Sequence, residues 1–167
     1  LNLSKIGVKK DDKGRIEVNN KLQTSLENIF AIGDVALVDG AMSRIESVDN
    51  AQNTAARAAA AICGLSQPPK MAPWFWSEQF DARLQSAGIV PQEAAAAQYM
   101  VRPGKREGGL SVWSYDGHGR LAAIEAVCDP AAYMLGKKCL DLGLSPPPSD
   151  IGNAAFDLKG FVASGAV

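Results

Sequence analysis

The sequence predicts an α+β chain: a strand, a loop and a long helix come first, then a mainly antiparallel sheet of about five strands with a C-terminal helix after it. Three observations carry this. The stretch from Ser47 to Cys63 is Ala-rich and free of Gly and Pro, as a helix interior requires. Beyond Pro73, short aromatic-rich or alternating segments follow one another, the pattern of half-buried strands. Between the two blocks, Ser66-Gln67-Pro68-Pro69 is a linker, so two organisations meet near residue 70.

Taken in order, residues 1–20 are polar and turn-rich. Lys9-Lys10-Asp11-Asp12-Lys13-Gly14 is a loop, and Arg15-Ile16-Glu17-Val18 a short alternating strand after it. Asn28-Ile29-Phe30-Ala31-Ile32-Gly33-Asp34 is a compact apolar run closed by Gly-Asp, which suits a strand buried on both faces. Ser47 is placed to cap the Ala-rich helix and Gly64 to stop it. Strands are expected over Trp74–Phe80, Arg83–Ala87, Gln98–Arg102, Leu110–Tyr115 and Leu121–Val127, with a tight hairpin turn at Asp116-Gly117-His118-Gly119. Asp129-Pro130 opens a helix to about Leu142, with Pro at its first position, and Ser145-Pro146-Pro147-Pro148 stops it. A short helix is expected around residues 157–163.

Composition narrows the function classes. The chain of 167 residues carries 17 Lys and Arg against 18 Asp and Glu, a net charge of −1. That balance argues against nucleic acid as the main partner. Hydrophobic residues make up 47%, enough for a packed core, and no apolar run approaches the roughly 18 residues of a membrane span. Cys63, Cys128 and Cys139 form no CxxC pair. They read as reduced thiols of a cytoplasmic protein, each buried on an apolar stretch. The chain opens Leu1-Asn2-Leu3, with no initiator Met and no secretion signal, so a fragment of a longer chain is the simplest expectation.

Chemistry-bearing motifs are few. There is no GxGxxG, no GxxxxGK[ST] and no metal-ligand spacing. His118 is the one histidine, in a Gly-flanked turn, where a solvated residue is expected rather than a base. What remains is Thr24 followed by Ile29-Phe30-Ala31-Ile32-Gly33-Asp34-Val35. Gly33 permits close backbone approach and Asp34 offers an acceptor at the carboxyl end of a strand, the edge where α/β sheets bind ligands.

This stretch resembles the second flavin-contacting motif of the two-dinucleotide-domain flavoprotein oxidoreductases. Arg44-Ile45-Glu46-Ser47-Val48-Asp49-Asn50-Ala51, the Ala-rich helix and then Pro73-Trp74-Phe75-Trp76-Ser77-Glu78-Gln79-Phe80 are similar to the NAD(P)H-dependent ferredoxin reductases of bacterial oxygenase systems. More distantly, the pattern resembles apoptosis-inducing-factor-like flavoproteins. The resemblance implies FAD as cofactor, NADH or NADPH as hydride donor, and an iron–sulfur ferredoxin as acceptor. It implies that residues 1–70 are the C-terminal portion of an FAD-binding domain and residues 71–167 the C-terminal reductase, or interface, domain. The remainder of the FAD and NAD domains would then be partners of this chain. Gly33 and Asp34 would meet the ribityl chain. The backbone at Val48, where a helix N-terminus carries partial positive charge, would face the N1–O2 edge of the flavin. Trp76 would lie beside the isoalloxazine. Neither a redox disulfide nor a general base is expected, and without glycine-rich phosphate turns the chain alone is not expected to be competent.

Two other readings stand beside this one. Gly14-Arg15-Ile16-Glu17-Val18-Asn19 and Gln23-Thr24-Ser25 look closer to lipoamide dehydrogenases, whose C-terminal domain carries a His-Glu pair that this chain lacks. The other alternative is a non-catalytic docking or assembly module, with the sheet after Pro73 contacting a partner.

Overall fold

The structure, a computed structural model, describes residues 2–41, 43–91 and 98–165. The chain forms two compact units, Leu1–Lys70 and Met71–Val167.

In the first unit, Asp11 closes the opening loop. Its carboxylate accepts the Arg15 side chain (Nε, 2.6 Å) and the backbone N–H groups of Arg15 and Lys13 (2.8 and 3.0 Å), which hold the carboxyl below its ordinary range. Strand β1 (Ile16–Val18) follows. It pairs in parallel with β2 (Ala36–Val38), Ile16 opposite Ala36 and Val18 opposite Val38.

The strand expected over residues 28–34 does not form. Only Gln23 and Phe30 make an isolated bridge, and Gly33–Val35 is a 3-10 turn. A strand needs a ladder of successive pairs and this segment makes a single bridge, nor is it buried on both faces, since Ile32 is exposed. Thr24 N–H donates to the Ile29 carbonyl (2.9 Å) and Ala31 N–H to the Leu22 carbonyl (3.0 Å). Gly33 then takes φ +64°, the left-handed region open to glycine, and ends the extension.

Helix α1 (Val48–Ile62) forms as the sequence predicts. Ser47 Oγ accepts the Asn50 N–H (3.1 Å), and Gly64 follows the helix in left-handed conformation. Its inward positions are small. Thr54, Ala58 and Ala60 are buried, and Ala58 joins Val18, Leu22, Ala31 and Ala36 in the core of this unit.

The second unit is a five-stranded antiparallel sheet in the order β3-β4-β7-β6-β5. Its strands are β3 (Trp74–Gln79), β4 (Ala82–Gly88), β5 (Gln98–Pro103), β6 (Leu110–Tyr115) and β7 (Leu121–Val127). All five stand where the alternating segments predict them. One register row, Trp74–Ala87–Ile124–Trp113–Met100, crosses every strand on a single face. Trp113, Ile124 and Ala87 in this row are core residues, with Trp74 and Met100 packed against them.

Helix α2 (Pro130–Leu142) covers that face over β4 and β7, capped by Asp129, whose side chain accepts the Ala132 N–H at 3.1 Å. Gly136 lets the helix sit down on Ile124; a Cβ there would stand 2.5 Å from Ile124 Cδ1. The helix ends at Leu142, as the sequence predicts, and the stop is made by Gly143, which takes φ +69° and whose N–H closes the last turn, rather than by the proline run. Pro148 instead opens a one-turn helix, α3 (Pro148–Ile151), and α4 (Leu158–Ser164) follows. Arg102 on β5 fastens this tail: its guanidinium donates to the carbonyls of Ile151, Asn153, Ala154 and Phe156 at 2.7–3.3 Å.

The three thiols do not share one environment. Cys139 is fully buried, but Cys128 is half-buried at φ +50° and Cys63, the last residue of the α1 cap, is exposed. Apolar neighbours in sequence mislead at Cys63, because the helix has ended and its side chain has no element to face.

Candidate functional site

The first unit brings three of the four predicted site residues to one place. The Gly33–Val35 turn packs on α1, with Gly33 seated against Ala51, one turn into the helix (3.4 Å to Ala51 Cβ from a Cβ built at Gly33). Gly33 is buried while the side chain of Asp34 is exposed. Val48, the first residue of α1, is 56% exposed. A helix leaves its first N–H groups without intrahelical partners. Here Ser47 Oγ takes the Asn50 N–H and the Ser47 carbonyl takes the Ala51 N–H. The N–H groups of Val48 and Asp49 have no acceptor among the described residues. The site therefore offers a carboxylate acceptor from Asp34 and two N–H donors at the positive end of a helix. Exposed Ile32, Val35 and Val48 supply apolar surface beside them.

One residue that the motifs do not single out holds this arrangement together. Thr54 is 2% exposed. Its hydroxyl accepts the Gly33 N–H at 2.8 Å and donates to the Asn50 carbonyl at 2.6 Å. Asn50 in turn donates its side-chain amide to the Ile45 carbonyl at 2.7 Å. The signal in the sequence is a lone hydroxyl-bearing, β-branched residue in a run of alanines, and it reads as helix filler unless the turn facing it is known.

Trp76 belongs to the second unit. It lies on edge strand β3, 38% exposed, with its ring stacked on Trp74, centroids 5.4 Å and planes 29° apart. Trp74 reaches the core cluster while Phe75, on the opposite face, is exposed. The aromatic block is thus graded: one ring is packed and the other is held at the surface by it.

Other features carry less. A groove of about 430 Å³ is lined by Lys9, Asn19, Gln23, Thr24, Ser25 and Asp39, among others. Asn19, Gln23, Thr24 and Ser25 are engaged in local turns: Asn19 Oδ1 accepts from Lys21 and Gln23, Gln23 donates to Glu27, Thr24 bonds Leu26, and Ser25 links Lys9 to Gly7. His118 is exposed in its hairpin turn. No group of three His, Cys, Asp or Glu side chains suited to a metal exists among the described residues, and no helix among them is long and apolar enough to cross a membrane.

Comparison with known proteins matches two families, one on either side of residue 70. Residues 74–162 match the family described as Reductase C-terminal, and residues 1–55 match the family described as pyridine nucleotide-disulphide oxidoreductase. Rhodocoxin reductase of Rhodococcus erythropolis is 36% identical over 148 residues, 86% of this chain and 34% of that protein. The ferredoxin reductase for the CYP199A2 system of Rhodopseudomonas palustris superposes with a TM-score of 0.81 at 36% identity, over 95% of this chain and 39% of that one. The covalent putidaredoxin reductase–putidaredoxin complex gives 0.84 at 30% identity, over 98% and 39%. The chain spans about a third of the length of the curated relatives it matches.

Proposed function

The chain belongs to the Reductase C-terminal family, and from that premise we propose that it is the C-terminal part of an FAD-dependent ferredoxin reductase of a bacterial oxygenase system. The intact enzyme would be a cytoplasmic oxidoreductase that passes electrons from NAD(P)H through flavin to an iron–sulfur ferredoxin. The observation that carries the reading is the contact between the Gly33 turn and α1, which sets the exposed Asp34 beside a helix start whose Val48 and Asp49 N–H groups have no acceptor among the described residues. This donor set fits a flavin: hydroxyls on one side need acceptors, and an edge that gains negative charge on reduction needs donors. When bound, the flavin supplies hydride acceptance and single-electron release.

The residues of this chain bind and orient. Asp34 accepts from ribityl hydroxyls. Gly33, without a side chain, lets the backbone come close. The first N–H groups of α1 donate to the N1–O2 edge, which favours the reduced state without a charged side chain. By the family resemblance, Trp76 would lie beside the isoalloxazine and exclude water from it.

The relatives support the acceptor class. Two are named as reductases of rhodocoxin and putidaredoxin, and one solved structure holds a reductase joined to its putidaredoxin. The match over residues 74–162 favours this branch over the lipoamide dehydrogenases, whose pattern is confined to the first 35 residues.

The test is a flavin absorbance spectrum of the intact protein with NADH and NADPH titrations, beside an Asp34→Ala variant. Flavin reduction by one nucleotide, and a loss of about 1.5–3 kcal/mol of flavin affinity in the variant, are the expected results. An intact protein without flavin leaves only the docking-module reading.

A further inference from the structure

We propose that Thr54 is a positioning residue that registers the Gly33–Asp34 turn against the first turn of α1, so that one carboxylate and two backbone donors meet a single ligand. The inference rests on the flavin reading of this site. A hydroxyl has one proton to give and two lone pairs to offer. Thr54 turns its proton toward the helix carbonyls behind it, chiefly that of Asn50 at 2.6 Å, with that of Ala51 farther off at 3.3 Å. A lone pair is then aimed across the packing contact at the Gly33 N–H, 2.8 Å away. Thr54 is 2% exposed, so water cannot replace either bond. The turn it holds is otherwise lightly tied, since Gly33–Val35 is a single 3-10 turn with no ladder of its own.

The bonds continue beyond Thr54. Asn50, whose carbonyl takes the Thr54 proton, places its own N–H on Ser47 Oγ and its side-chain amide on the Ile45 carbonyl. Gly33, Thr54, Asn50, Ser47 and Ile45 therefore form one hydrogen-bonded chain. It joins the turn bearing Asp34, the start of the helix and the loop leading into it. A shift of the turn moves Asp34 relative to the Val48 and Asp49 N–H groups unless this chain holds. Ala51, against which Gly33 rests, supplies contact but no direction. Among the described residues, the Thr54 hydroxyl alone makes a hydrogen bond across the interface of turn and helix.

The experiment uses the intact flavoprotein with Thr54→Val, Thr54→Ser, Asp34→Ala and the Thr54→Val/Asp34→Ala double variant. Flavin dissociation constants, thermal midpoints and, in the flavin-free protein, exchange of the Gly33 amide hydrogen are measured. Thr54→Val is expected to weaken flavin binding roughly tenfold and to expose the Gly33 amide to exchange, whereas Thr54→Ser keeps both near wild type. The double variant should bind flavin no worse than the weaker single variant, because an unregistered Asp34 has already lost its bond. Additive losses, or a Thr54→Val protein that melts earlier yet binds flavin normally, would overturn the positioning role. Flavin binding unmoved by Asp34→Ala would instead overturn the reading of the site itself. Should Thr54→Val not fold, Thr54→Ala against Thr54→Ser gives the same comparison.

Discussion

The indole of Trp76 rests on that of Trp74, ring centroids 5.4 Å apart, and Trp74 is anchored on the core while Trp76 is not. The exposed ring is thus oriented by the packed one. Such a pair contributes about 0.5–1.5 kcal/mol beyond area burial. Trp76→Ala in the intact enzyme is expected to slow ferredoxin reduction more than flavin reduction by NADH, since on the proposed reading the NAD domain positions the nicotinamide. Trp74→Ala should reproduce part of that loss with Trp76 still present. Stopped-flow flavin reduction beside steady-state ferredoxin reduction separates the two steps. Tryptophan fluorescence should be quenched by bound flavin in wild type and less so in Trp76→Ala. Unchanged rates and fluorescence would make Trp76 a plain packing residue.

Arg102 binds four carbonyls of the C-terminal tail with one planar fork. Lysine has the charge but not the geometry. Arg102→Lys should lower stability by about 1.5–3 kcal/mol, the scale for hydrogen bonds to a charged group, read from the urea midpoint. Exchange of amides in α3 and α4 should rise before that of the sheet. A midpoint equal to wild type would show that α4 packs without the clamp.

Gly136 is conformationally ordinary; its requirement is space, since a Cβ would meet Ile124 Cδ1 at 2.5 Å. Gly136→Ala should therefore cost about 1–3 kcal/mol as overpacking, even though alanine is the better helix former. Shortening Ile124 to Ala in the same chain should recover part of the loss. A double-mutant cycle on thermal midpoints reads the coupling, and additive effects would count against the clash.

Burial pushes the Cys139 thiol from its ordinary 9.0 up to about 11, and it pushes the Tyr115 phenol up as well. Below pH 9 the thiol is neutral in folded and unfolded chains alike, so this contribution to stability is fully present. Above that, the unfolded chain ionises first and stability falls through the window from 9 to about 11. Thermal midpoints are expected to decline over that window, with Cys139→Ala declining less steeply from a lower starting point. An identical slope in the variant would assign the decline to other groups.

Much of the second unit was legible because its signals are local. Trp74–Gln79, Leu110–Tyr115 and Leu121–Val127 announce themselves by aromatic and alternating residues, and Asp129-Pro130 marks the start of α2. The first unit was less so. Residues 28–34 have the composition of a buried strand, but strandhood depends on neighbours that composition does not reveal. The parallel partnership of Ile16–Val18 with Ala36–Val38 is equally non-local. Asp34 and Val48 are candidates through motif resemblance, and the fold brings their segments together. Thr54 and Arg102 are not candidates that way, because each acts across a sequence gap, to Gly33 and to the 151–156 segment, that only the fold closes.

The strand order β3-β4-β7-β6-β5 shapes how the second unit assembles. Four neighbouring relations are possible in such a sheet, and three of them here join strands adjacent in sequence. The fourth, between Ala82–Gly88 and Leu121–Val127, must wait for the whole β5–β6 excursion to return. Folding thus divides into a hairpin and a three-stranded meander, each of low contact order, with a single long closure between them. Ala87 and Ile124, both fully buried, meet across that seam, and α2 lies over it. The helix that completes the core is therefore also the lock on the slowest joint of the sheet. Loosening α2 would uncover the Ala87–Ile124 contact and leave the ladder from Leu84–Val127 to Gly88–Ala123 to hold the two halves by itself.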